Sequence, residues 1–567
     1  MKMCVNRNLV SCFNFALSRL RVRPLSILLF SFFAGTMSSV QAEVSTSGLF
    51  GHNMVLQQGM PVPVWGFAKP GEKVAVTFGD CKASTTTGAD GKWMVRLKSL
   101  SASSVGANLV VKGENTLTLT NVVVGDVWLC SGQSNMEFGY LNITKKEEQV
   151  VDPQIRTFCV LRSASLTPLD NTGFIPPEIG LDTQMGHWQM ENPGGPWGGF
   201  SAVGYFFGKE IRNVTKNPVG LIGSYWGGTP AQAWTSLSGL EKEAILTNYV
   251  DGFRNMKPEQ KQKFPVKWAD YLVAMKKWDK ESREPYEKNK REWEVAARKA
   301  KAAGQPEPPQ PQMAFPRPAN PGNVGTTTSL FNGMINPLIP FAIKGTIWYQ
   351  GEANTYNGAE YGVLFPAMIR DWRERWGYDF PFLFVQLAGW ENGAGRWAAL
   401  REGQCKALAL PNTGMAVAID VGDRKDIHPK NKLPVVHRLA LAAEHIAYGQ
   451  KVVYQGPAYD SMKRDGNRLR VSFTNIGSGL VIGVPPPMPG QPAAPVPVEL
   501  KGFEIAGTNR QWFAAKAVID GATVLVSHDQ VAEPVAVRYA WGDYPPCDLY
   551  NKEGLPAVPF RTDNWNP

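Results

Sequence analysis

Ser134 follows a segment whose residue types suit nucleophilic catalysis. An apolar run over residues 125–130 leads directly into the small and polar residues Ser131, Gly132, Gln133 and Ser134. A buried strand that ends in this way places Ser134 at the carboxyl edge of a parallel sheet, where ligands bind and where a following helix presents backbone N–H groups. Such a serine either caps the helix or attacks a carbonyl whose developing negative charge those N–H groups stabilise.

A nucleophilic serine needs a general base, and His428 is the best candidate among six histidines. It lies in a loop between a predicted strand at 415–420 and a predicted helix. The other five fall in β-rich regions, in a loop rich in Gly and Trp, or in a helical pattern typical of packing or surface roles: His52, His528, His187, His437 and His445.

The base in turn needs an acceptor that fixes its tautomer and stabilises the imidazolium ion. Asp426 and Asp423 stand two and five residues before His428. We predict Asp426 for this role because it is nearer in sequence, with Asp423 as the alternative. If a backbone carbonyl serves instead, the site is a dyad of Ser134 and His428.

Met136 restricts the kind of serine hydrolase that this chain can be. The nucleophile elbow of the α/β-hydrolases needs Gly two residues after the serine, and Met136 occupies that position. Another scaffold is therefore expected if Ser134 is catalytic.

Four blocks of polar and Gly-rich residues stand between residues 132 and 432. They are Gly-Gln-Ser-Asn-Met at 132–136, Leu-Ile-Gly-Ser-Tyr-Trp-Gly-Gly-Thr-Pro at 221–230, Trp-Tyr-Gln-Gly-Glu-Ala-Asn at 348–354 and Asp-Ile-His-Pro-Lys-Asn-Lys at 426–432. In this order the four blocks resemble those of the sialate O-acetylesterase-like carbohydrate esterases, which belong to the SGNH hydrolase superfamily.

This resemblance implies that the protein removes O-acetyl groups from a carbohydrate substrate, with no metal and no organic cofactor. It also implies an oxyanion hole, for which chemistry alone already suggests the Ser134 N–H. The further donors by resemblance are the backbone of Gly227 and Gly228 and the side chain of Gln350 or Asn354. For both side chains, a structural role in a turn is the alternative.

One position departs from the superfamily pattern. SGNH enzymes usually place an aspartate three residues before the histidine, where this chain has Lys425. Asp426 and Asp423 are therefore substitutes at unusual offsets from His428.

Large and charged side chains in or near these blocks are candidates for a sugar pocket, with core packing as the alternative for each. They are Trp226, Trp234, Trp348, Tyr349 and Arg401. Glu352 is a separate candidate that would bind sugar hydroxyls or compete for the base, and we assign it no catalytic role.

The elements that must position these residues form an α/β unit over residues 125–449. Buried apolar runs alternate there with helical stretches, which predicts a parallel sheet covered by helices. The resemblance implies a flavodoxin-like sheet. The predicted core strands are 125–130, 219–223, 345–349, 382–387 and 415–420.

Regions of short alternating strands flank this unit and predict a β-sandwich at each end, at 43–124 and 450–567. The candidate strands are 73–78 and 116–119 in the first region and 468–473, 498–506, 523–527 and 535–539 in the second. A charged helical and Pro-rich insertion at about 253–326 interrupts the α/β unit. Its apolar residues predict a packed hairpin rather than a binding arm: Trp268, Tyr271, Leu272, Met275 and Trp278.

Residues 1–42 predict a signal peptide. Five basic and no acidic residues accompany an apolar run at 25–35 and a small-residue cleavage site that ends at Ala42. The apolar run is shorter than the ~20 residues of a spanning helix, so we expect cleavage rather than a membrane anchor. This predicts a secreted or periplasmic protein with no stable membrane insertion.

Charge and cysteine content exclude other classes of protein. The formal net charge of +10 comes from scattered Lys and Arg residues without a basic arm, so we predict no nucleic-acid partner. Two of the seven cysteines lie in the leader, and the other five lack the CxxC spacing of zinc or redox sites. At most two disulfides are possible, and nothing indicates an oligomeric state.

Two alternative functions stay open at this point. Acetylated xylan or another polysaccharide is chemically an equal target for the same machinery. In a different class, the chain would be a non-catalytic carbohydrate-binding protein in which the sandwiches bind sugar. Hydrolysis of p-nitrophenyl acetate, with Ser134→Ala as control, separates an enzyme from a binding protein.

Overall fold

The N-terminal part of the chain consists of β-strands. The structure is a computed structural model that describes residues 43–144, 151–173, 185–191, 193–316, 318 and 324–565, so the predicted leader lies outside the described residues. The first eight strands are β1 (Ser45–Thr46), β2 (Val55–Gln57), β3 (Val62–Phe67), β4 (Lys73–Phe78), β5 (Cys81–Thr86), β6 (Lys92–Leu97), β7 (Ser103–Lys112) and β8 (Thr116–Gly132). Strands β1, β3 and β6 form one sheet, and β2, β4, β5 and β7 join a larger sheet through β8.

Strand β8 is 17 residues long and belongs to two environments. Its first part alternates between exposed and half-buried residues and pairs with β7, whereas every residue from Val122 onward is buried. Its second part pairs with strands of the central sheet on both sides. The predicted domain boundary between residues 124 and 125 therefore falls inside one strand, because the change in hydrophobic pattern marks a change of surroundings and not a break in the chain.

The central sheet places β8 in the middle of a parallel array. Its order is β11-β9-β12-β8-β14-β15-β16, and all of these pairs are parallel except β11 with β9. The strands of this region are β9 (Ile155–Cys159), β10 (Ser163–Ala164), β11 (Trp188–Gln189), β12 (Val219–Tyr225), β13 (Val266–Lys267), β14 (Gly345–Tyr349), β15 (Phe382–Gln386) and β16 (Thr413–Val417). The predicted strands at 219–223, 345–349 and 382–387 are confirmed. The one at 415–420 ends earlier, because a 3-10 turn follows at Ile419–Val421.

Helices cover both faces of this sheet. Trp128 on β8 is opposite Gly345 on β14, so Trp128 and Trp348 point to opposite faces. Trp128 packs against Phe207 of α2, and Trp348 packs against Phe365 of α8. The helices are α1 (Ser134–Glu137), α2 (Ala202–Thr215), α3 (Leu237–Glu241), α4 (Thr247–Arg254), α5 (Pro258–Lys261), α6 (Trp268–Trp278), α7 (Glu284–Ala302), α8 (Gly358–Trp376), α9 (Trp397–Cys405) and α10 (Leu433–Ile446). None of those in the described part of the chain is both long and apolar enough to cross a bilayer.

The insertion consists of one continuous helical stretch and an extended Pro-rich segment that packs antiparallel to it, and not of two packed helices. A π-helical turn at Asp279–Arg283 joins α6 to α7 without a break. The Pro-rich segment then runs back along it, since Trp293 Nε1 donates to the Pro308 carbonyl at 2.7 Å and Ser282 Oγ to the Phe315 carbonyl at 2.7 Å. Of the residues predicted to pack, Trp278 is buried, Tyr271, Leu272 and Met275 are half-buried, and the side chain of Trp268 lies outside the described ones.

The C-terminal region returns to antiparallel β-structure. Two four-stranded sheets, β17-β18-β23-β22 and β21-β20-β24-β26, stand beside a β19-β25 pair. The strands are β17 (Ala458–Asp465), β18 (Arg468–Thr474), β19 (Leu480–Ile482), β20 (Phe503–Gly507), β21 (Trp512–Ala514), β22 (Lys516–Asp520), β23 (Thr523–Ser527), β24 (Pro534–Tyr539), β25 (Leu549–Asn551) and β26 (Phe560–Arg561). The predicted strand at 498–506 is shorter than expected, because Gly502 has a φ of +91°, outside the β region. The five cysteines of the described residues are free thiols.

Candidate active site

A tight turn carries Ser134 away from the end of β8. Gly132 ends the strand with a φ of +137°, and a Cβ there would lie 2.2 Å from the Tyr349 carbonyl oxygen. Only glycine fits this close approach of two backbones. The Gln133 N–H then donates to the same Tyr349 oxygen at 3.0 Å, and Ser134 begins α1. As expected for the carboxyl edge of the sheet, Ser134 stands where β8, β12 and β14 all end.

His428 meets Ser134 from the far end of the chain. It lies in the loop between β16 and α10, and its Nε2 is 2.9 Å from the Ser134 Oγ. The imidazole is partly exposed, and the ring of Trp197 stands edge-on to it at 5.1 Å. A hydroxyl that is hydrogen-bonded to a neutral imidazole can lose its proton to that ring as it attacks an ester.

The two candidate acids have different positions. Asp426 Oδ1 accepts a hydrogen bond from the His428 backbone N–H at 2.9 Å and lies 3.6 Å from the imidazole Nδ1, within ion-pair distance but too long for a hydrogen bond. Asp423 Oδ1 instead accepts from the backbone N–H groups of Lys425 and Asp426, at 2.8 and 3.0 Å. Asp426 therefore faces the imidazole, and Asp423 shapes the loop that holds it.

The surroundings of His428 lower the pKa of its imidazole below the usual 6.5. Burial is the largest cause, because it penalises the charged ring, and the positive charge of Lys432 adds to the effect. Asp426 and Glu137 oppose the shift. At any pH near this pKa, a larger fraction of the imidazole is therefore neutral, and able to accept a proton, than in a free histidine.

We expect the acid side of the pH profile to reflect this shift. If His428 is the base, kcat/KM for p-nitrophenyl acetate falls as pH drops through the pKa of the free enzyme's imidazole, so the midpoint lies below 6.5. Initial rates across a series of buffers at constant ionic strength measure it. His437 provides the contrast, since its hydrogen bond to Glu210 raises its pKa above 6.5. A midpoint above 6.5 would count against His428 as the titrating base.

The predicted oxyanion donors do not all face Ser134. A Cβ on Gly227 would be 3.2 Å from the Ser134 Cβ, but the Gly227 N–H donates to Glu137 Oε2 at 2.6 Å. Glu137 is itself paired with Arg162, 2.5 Å away. Within the described residues, no acceptor takes the N–H of Ser134 or that of Gly228. Of the predicted backbone donors in the described residues, these two therefore have no acceptor, whereas the Gly227 N–H is already taken.

Gln350 and Asn354 belong to a buried amide network. Gln350 Nε2 donates to the Thr229 carbonyl at 3.2 Å and to Asn354 Oδ1 at 2.7 Å, which uses both of its N–H groups. Asn354 Nδ2 donates to Gln232 Oε1 at 2.9 Å, and its Oδ1 also accepts from the Ala231 N–H at 2.8 Å. The structure thus gives the Gln350 amide partners other than the predicted oxyanion. The network holds the Gly-rich turn after β12 against the end of β14.

Most of the predicted sugar-pocket residues are in the core. Trp234, Trp348, Tyr349 and Arg401 have no exposed surface, and Trp226 is 6% exposed. Arg401 donates to the carbonyl oxygens of Leu387, Ala388, Gly542 and Asp543, so it ties the central sheet to the C-terminal region. The burial of these four side chains favours core packing, which is the alternative to substrate contact for each of them.

A second buried cluster lies behind the Ser134–His428 pair. Asn135 Nδ2 donates to Glu352 Oε1 at 2.5 Å and to the Ile427 carbonyl at 3.0 Å, and Lys432 Nζ donates to Asn135 Oδ1. Burial raises the pKa of the Glu352 carboxyl and lowers that of the Lys432 ammonium to about 7. Glu352 thus contacts Asn135 rather than the imidazole.

Sequence reasoning missed four residues of this site. Glu137, Arg162 and Lys432 hold its backbone and charges, and Trp197 is the exposed aromatic ring beside the base. Lys432 ends the block at 426–432 and Glu137 directly follows the block at 132–136, and this position is a signal that could have found both residues. Among the described residues, no group of three or more His, Cys, Asp or Glu side chains could hold a metal ion.

Comparison with known proteins gives consistent matches. Residues 325–443 match a family model described as "Carbohydrate esterase, sialic acid-specific acetylesterase". The chain is 29% identical to the sialate O-acetylesterase of Rattus norvegicus, over 95% of this chain and 98% of that one, and 28% identical to the one of Homo sapiens, over 90% of each. A carbohydrate acetylesterase of known structure from Xanthomonas citri is 34% identical with a TM-score of 0.70, and the match covers 92% of this chain and 100% of that one.

The fold, the geometry of the site and the comparisons together show that this protein is an enzyme of the carboxylic ester hydrolase class. Within that class, the chain belongs to the sialate O-acetylesterase-like family of carbohydrate esterases.

Proposed function

We propose that this enzyme removes O-acetyl groups from carbohydrates, with Ser134 as the nucleophile and His428 as the general base. The observation that carries the proposal is the 2.9 Å contact between His428 Nε2 and Ser134 Oγ at the carboxyl edge of the parallel sheet. The names of the relatives support acetylated sugars as the substrate class.

The reaction then proceeds in two steps through an acetyl-enzyme. Ser134 Oγ attacks the acetyl carbonyl carbon while His428 Nε2 takes its proton, and the N–H groups of Ser134 and Gly228 stabilise the oxyanion. The imidazolium gives this proton to the departing sugar oxygen, which leaves Oγ acetylated. Water, deprotonated by the same imidazole, then attacks the acetyl carbonyl carbon, the bond between Oγ and the acetyl group breaks, and the imidazolium returns its proton to Oγ, which releases acetic acid as acetate and restores free Ser134.

Asp426 is the proposed orienting acid, which gives a prediction for the two candidate carboxylates. We expect Asp426→Asn to reduce kcat more than Asp423→Asn, because only Asp426 lies within ion-pair distance of His428 Nδ1. A carboxylate there stabilises the imidazolium, whereas an amide cannot. Kinetics of both variants measure the order, and each serves as the matched control for the other.

The reverse order would assign the orienting role to Asp423. If both single variants and the double variant lose less than about tenfold, or ~1.4 kcal/mol of barrier, a Ser134–His428 dyad with backbone support replaces the triad.

Trp197 is the proposed sugar platform. Its ring is 37% exposed and stands beside the imidazole of His428, so a sugar whose acetyl group reaches Ser134 can pack against it. O-acetylated sialic acid is the substrate favoured by the relatives' names, and acetylated xylan or another polysaccharide is the alternative. Acetate release from a panel of both kinds of substrate, by wild type and by Trp197→Ala, tests the proposal.

We expect Ser134-dependent release from at least one of these substrates and a raised KM in Trp197→Ala. Absence of deacetylase activity on all of them would favour the non-catalytic carbohydrate-binding alternative. Activity that survives Ser134→Ala would indicate another nucleophile.

The remaining proposals concern the chain around the site. The charge and apolar pattern of residues 1–42 supports a cleaved leader and a secreted or periplasmic enzyme, which N-terminal sequencing of the mature protein tests.

The paired antiparallel sheets before β8 and after α10 support flanking β-sandwiches as accessory regions of the catalytic domain.

A further inference from the structure

Lys432 is a buried cation next to the proposed catalytic pair. It immediately precedes α10 and is only 1% exposed. Its Nζ donates to Asn135 Oδ1 and lies over the rings of Phe138 and Tyr349, at 5.2 and 5.1 Å from their centroids. A buried ammonium group is costly unless its surroundings stabilise it, and here one amide oxygen and two ring faces do so.

Asn135 connects the helix that begins at Ser134 with the loop that carries His428, and these two must keep a fixed relative position. It follows Ser134 in α1, and its Nδ2 donates to the carbonyl of Ile427, the residue before His428. The same Nδ2 donates to Glu352 Oε1. Because the ammonium form of Lys432 can only donate, its contact fixes the oxygen of the Asn135 amide on the Lys432 side and turns both N–H groups toward Ile427 and Glu352.

Charges around this cluster act on the base. The groups that act electrostatically on His428 are Lys432 and Asp426 from its own loop and Glu137 from α1, and Lys432 is the only one of the three that opposes protonation. Lys432 in turn faces Glu352 and Asp426, whose negative charges favour its ammonium form. The Glu352 Oε2 atom is buried without a hydrogen-bond partner in the described residues, and the opposite charges of Glu352 and Lys432 favour each other's charged form.

We propose that Lys432 is a positioning residue of this esterase: its ammonium group fixes Asn135 between the Ser134 helix and the His428 loop, and its positive charge acts on the imidazole from that place. The inference rests on the proposed function, because it assigns Lys432 a part in preparing the base of that reaction. Lys432 touches neither Ser134 nor His428 in the contacts described, so it acts through Asn135 and through its charge.

The test compares Lys432→Met with Lys430→Met in the full-length protein. Methionine keeps the length of the buried stem and removes the charge, and Lys430 is an exposed lysine of the same loop. We expect Lys432→Met to lower kcat/KM for p-nitrophenyl acetate by about tenfold or more. We also expect it to move the acid-side midpoint up by about half a pH unit or more, because removal of a nearby cation makes protonation of His428 easier. Lys430→Met should leave both unchanged.

A loss of structure cannot imitate this result. Unfolding lowers the amplitude of the pH profile but does not move its midpoint. If Lys432→Met leaves Glu352 with an unbalanced charge and does not fold, Lys432→Met/Glu352→Gln removes both charges and keeps an oxygen for Asn135 Nδ2. The same upward shift is expected there. An unchanged midpoint together with a kcat/KM within twofold of wild type, in either folded variant, would overturn the proposal.

A readout that does not depend on turnover separates this inference from the proposed function. The pKa of His428 can be measured by NMR of histidine-labelled protein, with the signal assigned by its loss in His428→Gln. We expect the pKa of His428 to rise in Lys432→Met and to stay unchanged in Lys430→Met. If the wild type is inactive on all esters, the proposed function fails, and this titration still decides whether Lys432 controls the imidazole.

Discussion

Ser134→Ala should lower kcat for p-nitrophenyl acetate and for acetylated sugars by about 10⁴-fold or more, or about 5.5 kcal/mol of barrier. The hydroxyl is the only side-chain group that the proposed reaction uses, and alanine keeps the backbone N–H that serves as an oxyanion donor. Ser134 begins a short helix at the end of β8, and its backbone bonds do not involve the hydroxyl. The variant should therefore fold like the wild type.

The control for this substitution is Ser101→Ala. Ser101 is an exposed loop serine at a distance in sequence from all four blocks, and its loss should leave kcat unchanged. Circular dichroism and thermal unfolding of both variants confirm that the fold is intact. Retention of most of the activity by folded Ser134→Ala would end the assignment of the nucleophile.

His428→Gln should lower kcat by about 10³-fold or more, since the general base acts as a unit with its nucleophile. Glutamine is uncharged at all relevant pH values, so the residual rate should also lose the acid-side midpoint. Substrate binding should change little, because the proposed platform, Trp197, contacts Phe138 as well as the imidazole. Steady-state kinetics over a range of pH give all three quantities.

His437→Gln is the matched control for the base. Its ring is also beside a carboxylate, with Nδ1 3.2 Å from Glu210 Oε2, but it lies on the exposed side of α10. The substitution should leave both kcat and the pH midpoint as they are in the wild type. An equal loss in the two variants would mean that the effect of His428→Gln is structural.

The position of the site was predictable because it depends on local rules. An apolar strand that ends in small residues puts the next side chain at the sheet edge, and the strand predicted at 345–349 is β14 residue for residue. The pairing of Ser134 with His428 followed from the need for a base and from the placement of the other histidines. The same reasoning placed Asp426, two residues before the base, within ion-pair distance of it.

What could not be predicted depends on partners far away in the sequence. Whether Trp348 faces substrate or core is decided by helix α8, which packs over it. Whether the Gly227 N–H is free is decided by Glu137, which lies 90 residues earlier in the chain. An amide such as Gln350 can face an oxyanion or a carbonyl, and its type and position do not distinguish the two.

Strand β8 limits how this enzyme can be recombined with its relatives. One continuous strand carries the N-terminal sheet at its beginning and Ser134 just beyond its end. Insertion or deletion of a single residue within it would turn every following side chain to the opposite face of the central sheet. The N-terminal region therefore cannot be exchanged as an independent domain. A chimera joined at residue 124 would need to preserve the length and register of β8 on both sides of the junction.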